Sequence, residues 1–205
     1  MIKNVVFDMG QVLIRWTPEH IVSHLELEER DARMIICELF RSVEWVRLDR
    51  GTISEEDAIT SVCARLPHHL HESVYEIVTG WWKWPLVPVN GVAQLIEELK
   101  LSGYNIYLLS NASSRLHEYF DRIPGSQYFD GTIVSADLKI LKPQQDIYHA
   151  LYEKFGLLPE ECVFVDDIPA NIDGAMLTGM AGVVFHGDVT RLRQELRCLG
   201  ITVSA

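Results

Sequence analysis

The segment Asn4-Val5-Val6-Phe7-Asp8-Met9-Gly10 (residues 4–10) brings three consecutive apolar residues directly before an aspartate near the start of the chain. An apolar run without alternation is typical of a strand that is buried on both faces of a parallel sheet. Similar runs recur along the chain with helical patterns between them, and this order predicts an α/β fold. The predicted strands are residues 5–7, 105–109, 131–134, 162–165 and 182–185.

Helices are predicted between these strands. One begins after a cap at Asn90 and ends at Gly103, a second spans residues 145–155 and stops at Gly156, and a third spans residues 170–177. Asparagine is a favoured N-cap, and glycine commonly ends a helix because it adopts positive φ without strain.

The stretch between the first two strands is too long for an ordinary crossover. Residues 16–88 have a helical pattern throughout, which predicts about four helices, one of them beginning at Ser54. We therefore expect a helical cap at residues 16–88, inserted into a core formed by residues 1–15 and 89–205. Such an insertion lies above the carboxyl edge of the sheet, where ligands bind in this fold class.

Composition excludes several kinds of partner. The chain has 18 Lys and Arg against 29 Asp and Glu, a net charge of −11, whereas nucleic acids and anionic membranes attract basic surfaces. Four widely separated cysteines predict buried free thiols. No stretch resembles a signal peptide or a membrane span, so we expect a cytoplasmic protein, either a monomer or a weak homodimer.

Reactive residue types stand where the predicted strands end, which is where active sites form in open parallel sheets. A carboxylate nucleophile, phosphate-binding polar groups, a cation and paired acids are the parts that phosphoryl transfer requires. An all-oxygen donor set also suits Mg²⁺. The candidates are Asp8, Ser110, Asn111, Lys142, Asp166 and Asp167.

These residues fall in the order D-x-G-x-V, S-N, K-P and D-D-x-x-x-N, the last of which ends at Asn171. This order resembles the four motifs of the haloacid-dehalogenase (HAD) superfamily, and the helical segment resembles the four-helix C1 cap of one branch. The opening motif and the phrase D-R-G-T-I-S at residues 49–54 look most like the α-D-glucose-1-phosphate phosphatase group. The resemblance covers essentially the whole chain and implies a Rossmann-like, three-layer core with an inserted cap.

The resemblance also implies an activity: magnesium-dependent hydrolysis of a small phosphorylated metabolite, such as glucose 1-phosphate, through an aspartyl-phosphate. By matching position, Asp8 is the nucleophile, and Lys142 neutralises both Asp8 and the phosphate. Lys142 is chosen over Lys139 because it directly precedes a proline. The implied phosphate ligands are Ser110, Asn111 and Lys142, and the implied metal ligands are Asp8, the Gly10 carbonyl, Asp166 and Asp167.

The sequence departs from the family pattern at Gly10. Most phosphatases of the superfamily carry a second aspartate there, which protonates the leaving group and later activates water. A positioned acid or base contributes about 10²–10⁴-fold, so its loss favours substrates with good leaving groups, such as sugar 1-phosphates. Gln11 or a cap residue is an alternative means of positioning water.

Five tryptophans and several arginines lie in the predicted cap. We expect Trp45 and Arg47 to contact substrate, and Trp81, Trp82 and Trp84 to pack the helices.

Two other functions fit the same motifs. One is a non-catalytic HAD protein that binds a phosphorylated metabolite or a partner, which the glycine at position 10 favours. The other is a haloacid dehalogenase, which shares the nucleophile but needs no metal, and which the Asp166-Asp167 pair disfavours.

Overall fold

The computed structural model describes residues 1–203, and a parallel sheet forms its centre. The strands are β1 (Asn4–Phe7), β2 (Asn105–Ser110), β3 (Gly131–Val134), β4 (Cys162–Asp166) and β5 (Ala181–Val184). They pair in parallel in the order β3-β2-β1-β4-β5. The five predicted strands are confirmed, each to within one residue at either end.

The helices cover both faces of this sheet, which confirms the predicted Rossmann-like α/β core. The α-helices are α1 (Pro18–Val22), α2 (Glu29–Ile35), α3 (Val43–Arg50), α4 (Glu55–Cys63), α5 (His71–Gly80), α6 (Val92–Leu101), α7 (Leu116–Tyr119), α8 (Ser135–Leu138), α9 (Gln145–Phe155), α10 (Pro169–Met176) and α11 (Val189–Cys198). A π-helical turn at Ile36–Phe40 continues α2. Within residues 1–203, no helix combines the length and the apolar character that crossing a bilayer requires.

The central strand β1 divides its side chains between two cores. Val5 and Phe7 point to one face, where they join a large apolar cluster that continues into the helices between β1 and β2. Val6 points to the other face, into a smaller cluster with residues of α9 and α10. Because side chains alternate along a strand, the apolar run from Val5 to Phe7 is what burial on both faces requires.

The predicted N-caps of two helices had different outcomes. Helix α6 begins at Val92 after an N-cap at Gly91, which has positive φ, so the predicted cap at Asn90 is wrong by one residue. Helix α4 begins after Ser54 as predicted, and the Ser54 hydroxyl accepts a hydrogen bond from the Asp57 amide.

Two of the thiols, Cys37 and Cys198, are exposed, contrary to the expected burial.

The segment between β1 and β2 contains α1–α5, one α-helix more than the predicted four. Its two ends are joined: the Arg15 amide donates to the Val87 carbonyl, and the Val89 amide donates to the Leu13 carbonyl. An antiparallel bridge between Ile14 and Pro88 lies between these hydrogen bonds. The chain therefore leaves and rejoins the sheet at one place, just beyond the carboxyl end of β1.

Candidate active site

A cavity of about 340 Å³ lies between the carboxyl edge of the sheet and the helices that follow β1. Asp8 comes directly after β1, Ser110 ends β2 and Asp166 ends β4, and these three strands are neighbours. Asp8, Ser110, Asn111, Lys142 and Asp167 line the cavity. The fold therefore brings the polar residues predicted from strand ends to one place.

Lys142 is the cation of this site and is almost completely buried. Its Nζ atom lies 2.8 Å from Asp8 Oδ1 and 2.7 Å from Asp166 Oδ2, and it also donates to the Leu109 carbonyl. Burial alone would lower the pKa of Lys142, but the two carboxylates outweigh this effect and raise it. The side chain is therefore a charged ammonium at neutral pH. Lys139, by contrast, is exposed.

Asp8 is buried beside this ammonium. Burial raises the pKa of Asp8 although Lys142 opposes the shift, and Asp166 raises it further. Asp8 Oδ1 accepts no well-directed hydrogen bond from any residue in the described part of the chain. The partner of this oxygen is the Lys142 ammonium, and the contact between them is an ion pair.

The two acids at the carboxyl end of β4 have different surroundings. Both oxygens of Asp166 are engaged by hydrogen bonds, from Lys142, the Asn171 side chain and the Ile168 amide. Asp167 instead lines the cavity, and burial, followed by the charges of Asp8 and Asp166, raises its pKa to about 6. Oxygen atoms of Asp8, Asp166 and Asp167 lie within 4.8 Å of one another.

Ser110 and Asn111 also differ. Within residues 1–203, no group hydrogen-bonds the Ser110 hydroxyl, which lines the cavity and is free to bind a ligand oxygen. The Asn111 side chain donates to the Lys142 carbonyl and accepts from the Lys142 amide. Asn111 therefore holds the backbone of the lysine with both of its polar side-chain atoms.

The loop after Asp8 carries no acid. Gly10 forms a bridge with Ile14, and a Cβ placed on Gly10 would meet nothing within 4 Å. The side-chain oxygen of Gln11 accepts a hydrogen bond from the Trp16 amide at 2.9 Å. Gln11 thus stabilises this loop, which argues against the water-positioning role considered from the sequence.

Tryptophans form the opposite side of the cavity. Trp16, Trp45, Trp81 and Trp82, here called the aromatic wall, all line it, and the rings of Trp16 and Trp45 stack with centroids 5.8 Å apart. Two expectations therefore need correction. Trp81 and Trp82 face the cavity as well as packing the helices, whereas Arg47 is exposed outside it and donates to the Thr52 carbonyl.

Asp49 in α3 is a cavity residue that the sequence analysis did not single out. Burial, and secondarily the charge of Asp8, raises the pKa of Asp49 to about 8. Helical spacing could have identified it: Trp45, Leu48 and Asp49 stand at positions i, i+3 and i+4 and share one face of α3. The same spacing turns Arg47 away from that face.

The parallel sheet with helices on both faces and the cavity lined by carboxylates and a buried lysine define an enzyme with a Rossmann-like core. The sequence model described as haloacid dehalogenase-like hydrolase matches residues 2–176, so the chain belongs to that family. It is 27% identical over 202 residues to the sesquiterpene phosphatase astK of Aspergillus oryzae, across 96% of this chain and 97% of that protein. It is 23% identical over 182 residues to a phosphorylated carbohydrates phosphatase of Thermotoga maritima, across 87% and 82% of the two chains.

A solved structure shares the fold. The HAD family enzyme bt-2542 of Bacteroides thetaiotaomicron, determined in complex with magnesium and inorganic phosphate, superposes with a TM-score of 0.68 at 20% sequence identity. The match covers 94% of this chain and 99% of that one. Relatives that are named phosphatases, together with this fold, indicate that the hydrolase is of the phosphatase type.

Proposed function

We propose that this protein is a magnesium-dependent phosphatase that hydrolyses phosphate monoesters through an aspartyl-phosphate on Asp8. One observation carries the proposal: Asp8 faces a cavity while Lys142 Nζ lies 2.8 Å from one of its oxygens. A carboxylate nucleophile beside a fixed ammonium is what attack on an anionic phosphoryl group needs.

The donor set fits a hard cation. Oxygen atoms of three carboxylates, those of Asp8, Asp166 and Asp167, lie within 4.8 Å of one another. We assign Mg²⁺ to Asp8, Asp167 and the Gly10 carbonyl, because these groups border the cavity. Asp166 completes the acid cluster and holds Lys142. When bound, the ion supplies positive charge that offsets the charge on the phosphoryl oxygens.

Each polar residue of the cavity then has its own role in the reaction. An oxygen of Asp8 attacks phosphorus, while the Lys142 ammonium offsets the negative charge of the two anions. The Ser110 hydroxyl donates to a phosphoryl oxygen and orients the group for in-line attack. Asn111 keeps Lys142 in place through its backbone. Water then hydrolyses the aspartyl-phosphate and releases inorganic phosphate.

The aromatic wall bears on the choice of substrate. The sequence predicted a sugar phosphate such as glucose 1-phosphate, yet four tryptophans, Leu48 and Val78 line the cavity, and Asp49 and Glu55 are the carboxylates among them. The Glu55 carboxylate at this wall is already paired with Arg115. A substrate hydroxyl that is buried against this wall without a hydrogen-bond partner weakens binding, whereas a buried apolar group strengthens it. We therefore favour the phosphate ester of an apolar alcohol, and the similarity to a sesquiterpene phosphatase supports this choice.

The test is phosphate release with Mg²⁺ from farnesyl monophosphate, p-nitrophenyl phosphate, glucose 1-phosphate and glucose 6-phosphate, with EDTA and Asp8→Asn as controls. We expect release from the first two, and loss of all release in both controls. Faster hydrolysis of glucose 1-phosphate than of the prenyl ester would reinstate a sugar substrate. Silence across the panel would favour the non-catalytic function.

Chloride release from 2-chloropropionate without metal would instead support a dehalogenase. The acid cluster opposes that function, because dehalogenation by an aspartate needs no cation and has no use for three converging carboxylates.

A further inference from the structure

One carboxyl group in the cavity has no part in the scheme above. Asp49 lies on the α3 side and faces the same space as Asp8, but it does not belong to the acid cluster of Asp8, Asp166 and Asp167. The scheme in turn lacks a proton donor for the leaving alcohol, because Gly10 carries no side chain and Gln11 is hydrogen-bonded to Trp16. The reaction therefore needs a proton donor in the same cavity in which the Asp49 carboxyl group has no assigned role.

The end of α3 that carries Asp49 contacts the segments that follow β2 and β3. The backbone amide of Ser113 is close enough to the Asp49 carboxyl group to favour its charged form, and the Ser135 hydroxyl donates to the backbone carbonyl of Asp49. Two residues later, Gly51 approaches Ala136 so closely that a Cβ there would lie 2.3 Å from the Ala136 carbonyl oxygen. These contacts fix the end of α3 relative to the loops that carry Ser110 and Lys142.

The surroundings of Asp49 favour its protonated form. Trp45 and Leu48 flank it on its own helix, and the negative charge of Asp8 faces it from the loop after β1. Burial and then Asp8 raise the pKa of Asp49 to about 8, although the Ser113 amide partly opposes the shift. The other ionisable groups around the cavity are Lys142, Asp167, Glu55 and Tyr119.

We propose that Asp49 is the acid–base residue that takes the place of the missing carboxyl at position 10. This inference rests on the proposed phosphatase function. In the first step, an Asp8 oxygen bonds to phosphorus as the ester P–O bond breaks, and the Asp49 proton passes to the departing alkoxide oxygen, which leaves as an alcohol. In the second step, the Asp49 carboxylate takes a proton from water as its oxygen bonds to phosphorus. The bond from phosphorus to Asp8 then breaks, phosphate departs, and Asp49 is protonated again.

The test compares Asp49→Asn with the wild type on two esters. Octyl phosphate has a poor leaving group that needs an acid, whereas p-nitrophenyl phosphate has one that leaves without it. We expect Asp49→Asn to lower kcat on octyl phosphate by about 10²–10⁴-fold. On the nitrophenyl ester we expect a rapid burst of nitrophenol, followed by slow turnover and accumulated phosphoenzyme, because only the second step still needs the base.

Two further variants separate chemistry from structure. Asp49→Glu should recover part of the activity, and Gly10→Asp added to Asp49→Asn should restore turnover of octyl phosphate, because position 10 has room for a side chain. An equal loss on both esters, without a burst or rescue, would show that Asp49 is only structural.

The pH dependence of the wild-type enzyme is an independent test, because it does not depend on whether a variant folds. On octyl phosphate, kcat should fall as Asp49 loses its proton above pH about 8, while the nitrophenol burst should not. Coincident profiles for the two esters would overturn the proposal. A wild type that releases no phosphate from either ester would instead refute the phosphatase function itself.

Discussion

Lys142 Nζ lies 2.7 Å from Asp166 Oδ2, and neither side chain is exposed by more than 1%. The same ammonium lies 2.8 Å from Asp8 Oδ1, so one buried cation serves two buried carboxylates. Breaking a buried ion pair leaves an uncompensated charge, which is far more costly than the loss of a surface pair. The lysine therefore holds the site together as well as contributing charge to the reaction.

Replacing this cation should affect stability in a pH-dependent way. We expect Lys142→Met to abolish phosphate release and to lower the free energy of unfolding by about 3–5 kcal/mol at pH 7. Without the ammonium, the folded-state pKa of Asp8 rises further above its unfolded value, because Lys142 is the group that opposes the effect of burial. Stability should then be lost as pH rises from 5 to 8. Urea unfolding at both pH values measures this, with the exposed Lys139→Met as control; equal effects of the two variants would contradict the prediction.

The two acids at the carboxyl end of β4 should have different roles, Asp167 as a metal ligand and Asp166 as a residue that positions Lys142. Ligand at a hundredfold excess over Kd stabilises a folded protein by about 2.7 kcal/mol. We expect Mg²⁺ to raise the Tm of the wild type but not of Asp167→Asn, which should keep its metal-free stability. Asp166→Asn should lose stability even without metal, because it removes a partner of Lys142. If Asp166→Asn abolished the Mg²⁺ response and Asp167→Asn lowered the metal-free stability, Asp166 would be the metal ligand and Asp167 the positioning residue.

Gly10 offers a gain-of-function test in the wild-type background. A Cβ at this position meets nothing within 4 Å, and the backbone φ is not in the left-handed region. Gly10→Asp should therefore fold and raise kcat on alkyl phosphates by up to about 10²-fold, through a second acid near the leaving group. The matched control is Gly10→Asn, which has the same size but no acid. Equal rates for the two variants would exclude a contribution from acidity.

Gly51 and Gly156 make a matched pair of helix-ending glycines, with φ values of +69° and +65°. Alanine at either position carries the left-handed backbone penalty of about 1–2 kcal/mol. Only at Gly51 would the added Cβ meet a carbonyl, that of Ala136, whereas at Gly156 it meets nothing within 4 Å. Gly51→Ala should therefore be the less stable variant in urea, and it should also lose kcat because Asp49 is displaced. Similar kcat values for the two variants would argue against this positioning.

The aromatic wall can be tested in the same manner. Each loss of about 1.4 kcal/mol of contact with a ligand weakens binding tenfold. We expect Trp45→Ala to raise KM for farnesyl monophosphate by about tenfold and to leave KM for p-nitrophenyl phosphate less affected. Trp84 stacks on His24 outside the cavity, so Trp84→Ala is the control. An equal rise of KM in Trp84→Ala would show that the aromatic wall does not contact the substrate.

The sequence predicted the sheet well because buried parallel strands must be apolar on both faces, as the run from Val5 to Phe7 is. Strand ends then indicated where Asp8 and Ser110 would meet. Strand patterns alone could not identify Asp49, because its role depends on the approach of α3 to the loop at Ser113 and to Ala136, which are distant in sequence. The expectation that Arg47 contacts substrate together with Trp45 was wrong for a simpler reason: residues two positions apart on a helix do not share a face.

The paired ends of the segment between β1 and β2 have a consequence for how this protein changes over evolutionary time. Since Ile14 and Pro88 bridge where the chain leaves and rejoins the sheet, that segment can be lengthened, shortened or exchanged without altering which strands are neighbours. The cluster around Lys142 depends largely on loops of the sheet, whereas the aromatic wall lies wholly in the exchangeable part. A lineage can therefore acquire new substrates by drift and selection in one stretch of gene while inheriting the rest unchanged. Asp49 is the exception: if it supplies the proton, that stretch also carries part of the inherited chemistry.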